Sequence, residues 1–284
     1  MTFAQAIEIG REKIGQRDAM LLLSHVTNQT SGYIMLHEDA SLDVAAKASY
    51  MNGLARRQAG EPLQHIIGSW DFMGQVIKTD HRALIPRPET ERLVEETFSF
   101  ICGCKSPVHV IDLCTGSGCI AVALVCLAAT EGIDLEIFAV DKSTDALELA
   151  KENAKHLGYD KKIKFIESDL FEAMHDFLSF DIIVSNPPYI PTAEIPTLEP
   201  VVRDYDPRMA LDGGIDGMDF YRRIIPQSIE FLRPGGALFL EIGPTAVDGI
   251  LSAVGFEDVQ LINDYAGLPR ILRGLKPKGV TNNV

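Results

Sequence analysis

The sequence predicts an α/β protein: a doubly wound, mostly parallel sheet, preceded by a small all-α region and a linking β-hairpin. Three observations carry that prediction. Residues 1–60 show helical spacing and no strand pattern. Residues 61–88 hold two short apolar runs beside a turn, and from residue 89 onward apolar β-branched runs alternate with helical periodicity. Strict strand–helix alternation is the mark of a parallel sheet with right-handed crossovers.

The elements follow in order. Phe3, Ile7, Ile9 and Ile14 share one helical segment; Met20, Leu21, Leu22, Leu23 and Val26 share a second. A third runs from Leu42 to Arg57 through Ala45, Ala46, Ala48, Tyr50, Met51 and Leu54, with Asp18 and Ser41 as expected N-caps. A bundle this thin suits either partner binding or stabilising packing. Leu63 to Gly68 and Asp71 to Ile77 read as strands about a Gly-Ser turn, forming the hairpin. The prolines of Leu84-Ile85-Pro86-Arg87-Pro88-Glu89-Thr90-Glu91 fix an extended entry to a helix from about Glu91, capped by Thr90 or a neighbour. Strands are then expected at Val108–Leu113, Leu135–Val140, Lys162–Ile166, Phe180–Ser185, Ala237–Ile242, Val259–Ile262 and Arg270–Leu272, seven in all. Helices are expected at Ile120–Ala129, Thr144–Leu157, Asp219–Leu232 (bent at Pro226) and Thr245–Val254.

Composition narrows the function. The chain has 284 residues and a formal charge of −14, which disfavours sequence-independent gripping of a phosphate backbone. No apolar stretch is long enough to span a membrane, and the first residues lack an export signal, so a cytoplasmic location is expected. Cys102, Cys104, Cys114, Cys119 and Cys126 are odd in number and contain no Cys-x-x-Cys pair, which points to reduced thiols. The seven histidines lack metal-ligand spacing, so no metal is expected.

Two loops carry the chemistry. Asn186-Pro187-Pro188-Tyr189 follows the predicted strand Phe180–Ser185. The two prolines end the ladder and hold Asn186 in extended geometry. The result is a stiff corner of one amide, backbone carbonyls and one aromatic ring, suited to a flat, nitrogen-bearing group. The second loop, Asp112-Leu113-Cys114-Thr115-Gly116-Ser117-Gly118-Cys119-Ile120-Ala121, joins the first sheet strand to its helix. Its glycines allow tight turns and close ligand approach, and Asp141 at the next strand's end is placed for ribose hydroxyls. An adenosine-type cofactor is implied; which one stays open at this point. Asp169, with Leu170 beside it, suits an adenine amino group and a ring face, or else is a solvated loop acid.

In combination these motifs resemble S-adenosylmethionine-dependent methyltransferases acting on planar amide or amino nitrogens. The segment Leu84 to Glu91 and the extended corner Asn186 to Pro191 resemble the release factor glutamine methyltransferases (the HemK/PrmC family). So do Glu199-Pro200 and Ala210-Leu211-Asp212-Gly213-Gly214. The likeness is essentially full length. It implies a Rossmann-like methyltransferase domain over 89–284 with S-adenosyl-L-methionine held by Cys114, Thr115, Gly116, Ser117, Gly118, Asp141, Asp169, Leu170 and Asn186. It implies catalysis through Asn186, Pro187 and Tyr189, with Pro188 and Arg87 joining them in substrate binding. Cys114 replaces the family's common glycine, and Leu170 stands where some members carry tryptophan. The implied partners are class I peptide chain release factors, with no stable nucleic-acid binding. A nucleic-acid adenine methyltransferase is the alternative; a non-catalytic release-factor-binding adaptor is a third reading. The long connection Pro191–Met218 is expected to shape the substrate mouth, or to be a solvated connector with self-paired charges.

Overall fold

The computed structural model describes residues 1–174, 179–243 and 248–279. The chain divides into two compact units: Met1–Ser69 with Glu199–Tyr205, and Trp70–Leu198 with Asp206–Val284.

The first unit is helical. It contains α1 (Phe3–Ile14), α2 (Gln16–Thr27), α3 (Ser31–Leu36), α4 (Val44–Gln58) and α5 (Leu63–Ile67). Phe3, Ala6, Leu22, Leu23, Ile34, Leu42, Tyr50, Leu54 and Leu63 form its core. The Tyr50 hydroxyl donates to the Ala6 carbonyl at 2.9 Å. A side chain at Gly10 would collide with that hydroxyl and with Ala19, so glycine lets three helices meet there. Thr2 caps α1 in a reciprocal pair with Gln5, and Thr30 and Asp43 cap α3 and α4. The expected caps are thereby corrected. Asp18 sits inside the first turn of α2 and pairs with Arg57 at 2.8 Å, while Ser41 bridges to Thr2.

The hairpin is also corrected. Leu63–Ile67 is a helical turn, because His65 and Ile66 bond back to the Pro62 carbonyl and Gly68 closes it in the left-handed region. A five-residue segment with three apolar side chains has too little length for its period to decide. The strands are β1 (Ser69–Phe72) and β2 (Gln75–Lys78). They turn at Met73 and Gly74, both with positive φ, as a two-residue hairpin loop requires.

The second unit continues with α6 (Pro88–Ile101), β3 (Val108–Leu113), α7 (Cys119–Thr130), β4 (Leu135–Asp141), α8 (Thr144–His156), β5 (Ile163–Glu167) and β6 (Phe180–Ser185). After a 3₁₀ turn at Ile195–Thr197 and the short α9 (Pro200–Arg203, within the first unit) come α10 (Arg208–Leu211) and α11 (Asp219–Phe231). The chain ends with β7 (Leu232–Glu241), α12 (Asp248–Val254), β8 (Glu257–Asn263) and β9 (Pro269–Leu275). The start of the helix expected at Thr245 lies outside the described residues. Helix α6 begins at Pro88, so Thr90 falls in its first turn rather than capping it. Pro226 lies within α11, which runs unbroken past it.

The seven-stranded sheet has the order β5-β4-β3-β6-β7-β9-β8. Strands β3 to β7 run parallel; β9 is antiparallel to β7 and β8. Alternate residues feed two cores. Val108 and Val110 face α6 and α7, while Ile111 and Leu113 face Tyr221, Ile224 and Ile225 of α11. The chain leaves β3 toward β4 and β5 and returns to its other side as β6, so the strand order reverses at β3/β6. A doubly wound sheet binds ligands at that reversal, beyond the strands' carboxyl ends.

Candidate active site

Register brings the two informative loops together. Leu113 pairs with Val140 on one side and Ser185 on the other, and Ser185 pairs with Leu240. Cys114, Asp141, Asn186 and Glu241 therefore leave four neighbouring strands at one level. The Ser185 hydroxyl donates to the Leu113 carbonyl at 2.7 Å, and Thr115 N–H donates to the Val140 carbonyl at 3.0 Å. A cleft opens at this edge, beyond the carboxyl ends of β3, β4 and β6. Cys114, Thr115, Gly116, Ser117, Asp141, Asp169, Leu170, Asn186, Pro188 and Arg87 line it. Gly118, Pro187 and Tyr189 do not. Gly118 instead packs on α8, where a β-carbon would meet Ala150 at 2.9 Å. Pro187 is buried, and Tyr189 is half-buried against the second core.

Asp141 accepts from Gly116 N–H and Ser143 N–H, each at 2.9 Å. It is thereby fixed between the glycine loop and the start of α8, at the wall of the cleft. Burial raises its pKa, opposed by the backbone bonds of Ser143, Gly116 and Lys142. Asp169 is pinned by Lys142 at 2.8 Å and Arg223 at 2.7 Å. Burial opposes its charge, but these cations prevail and hold its carboxyl below the usual range. Cys114 and Leu170 both take positive φ, 57° and 55°, a conformation that costs a side-chain-bearing residue energy and concentrates at functional turns. Burial pushes the Cys114 thiol up, so it is not a thiolate.

Arg87 is not free. It donates to Asp206 at 2.5 Å, and Asp206 also accepts from Ile85 N–H at 3.4 Å. Burial raises the Asp206 pKa despite the guanidinium. This pair joins the cleft wall Leu84–Arg87 to the loop before α10. Within the Pro191–Met218 connection Arg203 pairs with Asp204 and Arg208 with Asp212, while Asp206 and Asp216 pair outside it with Arg87 and with Arg222 of α11.

Sequence reading missed three residues here. Asn153 of α8 donates to the Ser117 and Lys78 carbonyls, fixing the glycine loop. Thr90 and Glu241 are 2% and 1% exposed. Thr90 Oγ1 donates to Glu241 Oε2 at 2.7 Å, and Asn186 Nδ2 donates to Thr90 Oγ1 at 3.2 Å. The Tyr189 hydroxyl reaches Glu241 Oε1 at 3.5 Å. Burial pushes Tyr189 up to about 12, with Glu241 adding to it. An available signal was Glu241 itself, an acid breaking the apolar run Ala237 to Ile242. Among the described residues no cluster of His, Cys, Asp and Glu is arranged to hold a metal, and no helix is long and apolar enough to cross a membrane.

Comparison with known proteins adds the lineage. Residues 8–68 match the family described as PrmC N-terminal domain, and residues 105–241 match a methyltransferase domain. A Geobacter sulfurreducens protein named release factor glutamine methyltransferase is 42% identical, covering 83% of this chain and 81% of its own. A Koribacter versatilis protein of the same name is 35% identical over 98% of this chain and 99% of its own. One from Burkholderia pseudomallei is 39% identical over 92% of each. Among solved structures, a T. thermophilus 16S rRNA N2 methyltransferase in complex with AdoMet and guanosine aligns with TM-score 0.52 at 20% identity, over 73% of this chain and 49% of that one. A Pyrococcus furiosus methyltransferase aligns with TM-score 0.50 at 17% identity, over 81% and 98%. The solved structures bear on the fold alone.

Proposed function

This chain belongs to the release factor glutamine methyltransferase family, and on that premise we propose that it methylates the side-chain amide nitrogen of the glutamine in the Gly-Gly-Gln motif of class I peptide chain release factors, in the cytoplasm. The observation that supports this most is Asn186, anchored through Thr90 in the cleft where the strand order reverses.

The residues of the cleft fit S-adenosyl-L-methionine. Asp141, fixed by backbone N–H groups at the cleft wall, offers its carboxylate to ribose hydroxyls. Asp169 offers a charged acceptor for an adenine amino group, and Ile85, Ile120, Val140 and Leu170 give apolar walls. Gly116, at φ 56°, leaves space where a β-carbon would otherwise stand. The chemistry this cofactor supplies when bound is an electrophilic methyl group on a sulfonium.

The protein's task is orientation. An amide nitrogen is a poor nucleophile because its lone pair is delocalised into its carbonyl. Asn186 Oδ1 and the Pro187 carbonyl accept the two N–H bonds of the substrate carboxamide, which fixes the direction of its nitrogen. As that nitrogen gains positive charge the two acceptors hold it more tightly, which favours the transition state over the bound substrate. The neutral amide loses its proton afterwards, so no general base is required. Holding two reactants in line supplies up to roughly 7–11 kcal/mol, whereas a base gives about 10²–10⁴-fold. Tyr189 contributes by bracing the corner toward Glu241, beside Gly243. Arg87, tied to Asp206, shapes the mouth through the wall it anchors.

Tritiated cofactor, purified release factor and a release factor carrying alanine at the motif glutamine provide the test. Label enters only the first protein. Asn186→Ala abolishes turnover while calorimetric affinity for the cofactor stays within a few-fold. Near-normal turnover by that variant would refute the role of Asn186.

A further inference from the structure

The geometry points to Thr90 and Glu241 as positioning residues for this reaction: they hold the Asn186 side chain with Nδ2 turned into the protein and Oδ1 turned to the cleft. This rests on the role of Asn186 proposed above and adds two residues and a direction to it.

The argument is one of hydrogen-bond polarity. A hydroxyl carries one proton. A carboxylate can only accept, so the Thr90 proton points at Glu241 Oε2, 2.7 Å away. The Thr90 lone pairs are then what Asn186 meets at 3.2 Å. Turning Oδ1 toward them would set two acceptors against each other, so the amide places its NH₂ there. The two ends of an asparagine amide have nearly the same shape, and only such a partner decides which end faces outward. A substrate carboxamide nitrogen brings donors alone. It is served by Oδ1 and repelled by NH₂.

The fold makes the relay stiff. Glu241 lies level with Asn186 because Ser185 pairs with Leu240 across β6 and β7. Thr90 descends on both from the first turn of α6, next to Pro88. All three lie in the second unit, and Glu241 and Thr90 are buried. The backbone carbonyl of Glu241 is itself held, accepting from the Tyr221 hydroxyl at 3.0 Å.

Protonating Glu241 reverses the chain. The carboxyl then donates to Thr90, the freed Thr90 proton faces Asn186, and Oδ1 turns inward. Burial pushes the Glu241 pKa up to about 7. The Thr90 and Tyr189 hydroxyls and the Arg270 guanidinium oppose that rise, and Glu89 on α6 adds to it. Arg270 comes from β9, and Tyr221 from α11. Turnover should thus increase with pH through the neutral region as the relay takes its productive sense.

The experiment measures kcat on release factor at saturating cofactor from pH 6 to 9, for wild type, Thr90→Val, Thr90→Ser and Asn186→Ala. Affinity for S-adenosylhomocysteine is measured by calorimetry alongside. Thr90→Val loses roughly 10- to 100-fold in kcat, the fold-change of one unmet buried hydrogen bond. It also loses the rise through neutral pH and keeps its cofactor affinity. Thr90→Ser restores both the rate and the pH profile. The inference is overturned if Thr90→Val stays within twofold of wild type, keeps the neutral rise, or weakens cofactor binding in step with kcat. Normal turnover by Asn186→Ala removes the premise; an inactive Asn186→Ala beside an unaffected Thr90→Val removes this inference alone.

Discussion

Glu241 is a carboxyl placed almost wholly out of water, and its burial raises it from an ordinary 4.5 to about 7. Desolvation penalises the charged form, so the folded chain holds this proton more tightly than the unfolded chain does. The resulting stabilisation is fully present below pH 4.5 and is lost as pH rises through about 7. The displacement corresponds to on the order of 3 kcal/mol. A carboxyl buried at such a cost and bonded through Thr90 to Asn186 is the expected mark of a site where position outranks stability. Glu241→Gln removes the titration. Urea unfolding at pH 5 and pH 8 should show wild type losing more stability than the variant between the two, by on the order of 3 kcal/mol. Asp112, which burial also pushes up to about 7, is present in both proteins and cancels from the comparison. Parallel stability–pH curves for the two would mean that Glu241 does not titrate in this range.

The Asn186–Tyr189 corner at the end of β6 is braced by a second element, the loop that follows α10. Ile190 N–H donates to the Leu211 carbonyl and Gly213 N–H to the Ile190 carbonyl, so the two segments run as a short ladder. A β-carbon at Gly213 would stand 2.7 Å from Tyr189 Cα and 2.9 Å from the Pro188 carbonyl oxygen. Both obstacles are backbone, so no rotamer change relieves the clash. Gly213→Ala must push the loop away or shift the corner that carries Asn186. Displacing the reacting geometry by a fraction of an ångström to one ångström costs up to about 10²-fold, and overpacking costs about 1–3 kcal/mol of stability. The expected outcome is kcat reduced at least about 10-fold with calorimetric affinity for the cofactor reduced far less, because most of the cleft wall comes from the loops after β3 and β4 and from Arg82–Arg87. Wild-type kcat in Gly213→Ala would show that the loop does not set the corner. The same physics explains the two elements that sequence misjudged. The five residues before Gly68, three of them apolar, are too few to carry a readable period, so α5 passed for a strand. Thr90, adjacent to the prolines, looked like a cap because its partner lies 151 positions away.

Across the whole molecule, what could be read without a structure was what is local: the β-branched runs of β3, β4 and β6, the glycine turn after β3, and the prolines after β6. What could not be read was set by pairing between distant segments. The order β5-β4-β3-β6-β7-β9-β8 sets Glu241 level with Asn186, where Thr90 joins them, and nothing local in the sequence announces that pairing. Net charge is the one global property legible from composition alone, and the structure sharpens its consequence. The chain carries 26 Lys and Arg against 40 Asp and Glu. Three cations that line the cleft are already matched: Arg82 with Asp80 and Glu152, Arg87 with Asp206, and Lys142 with Asp169. A phosphate backbone arriving there would have to break those pairs and enter a field of its own sign. Affinity for nucleic acid rests on exchanging condensed counterions for such cations, and log affinity falls steeply with salt in proportion to the contacts made. With release factor, DNA and total RNA offered side by side, methyl incorporation should therefore appear in release factor and stay at background in both nucleic acids. Raising salt from about 50 to 200 mM should change release factor labelling only a few-fold, against the roughly 10³–10⁵-fold loss of an enzyme gripping six to ten phosphates. Labelled RNA or DNA that disappears over that salt range would instead bring back the nucleic-acid adenine methyltransferase, whose target amine fits the same amide-and-carbonyl corner.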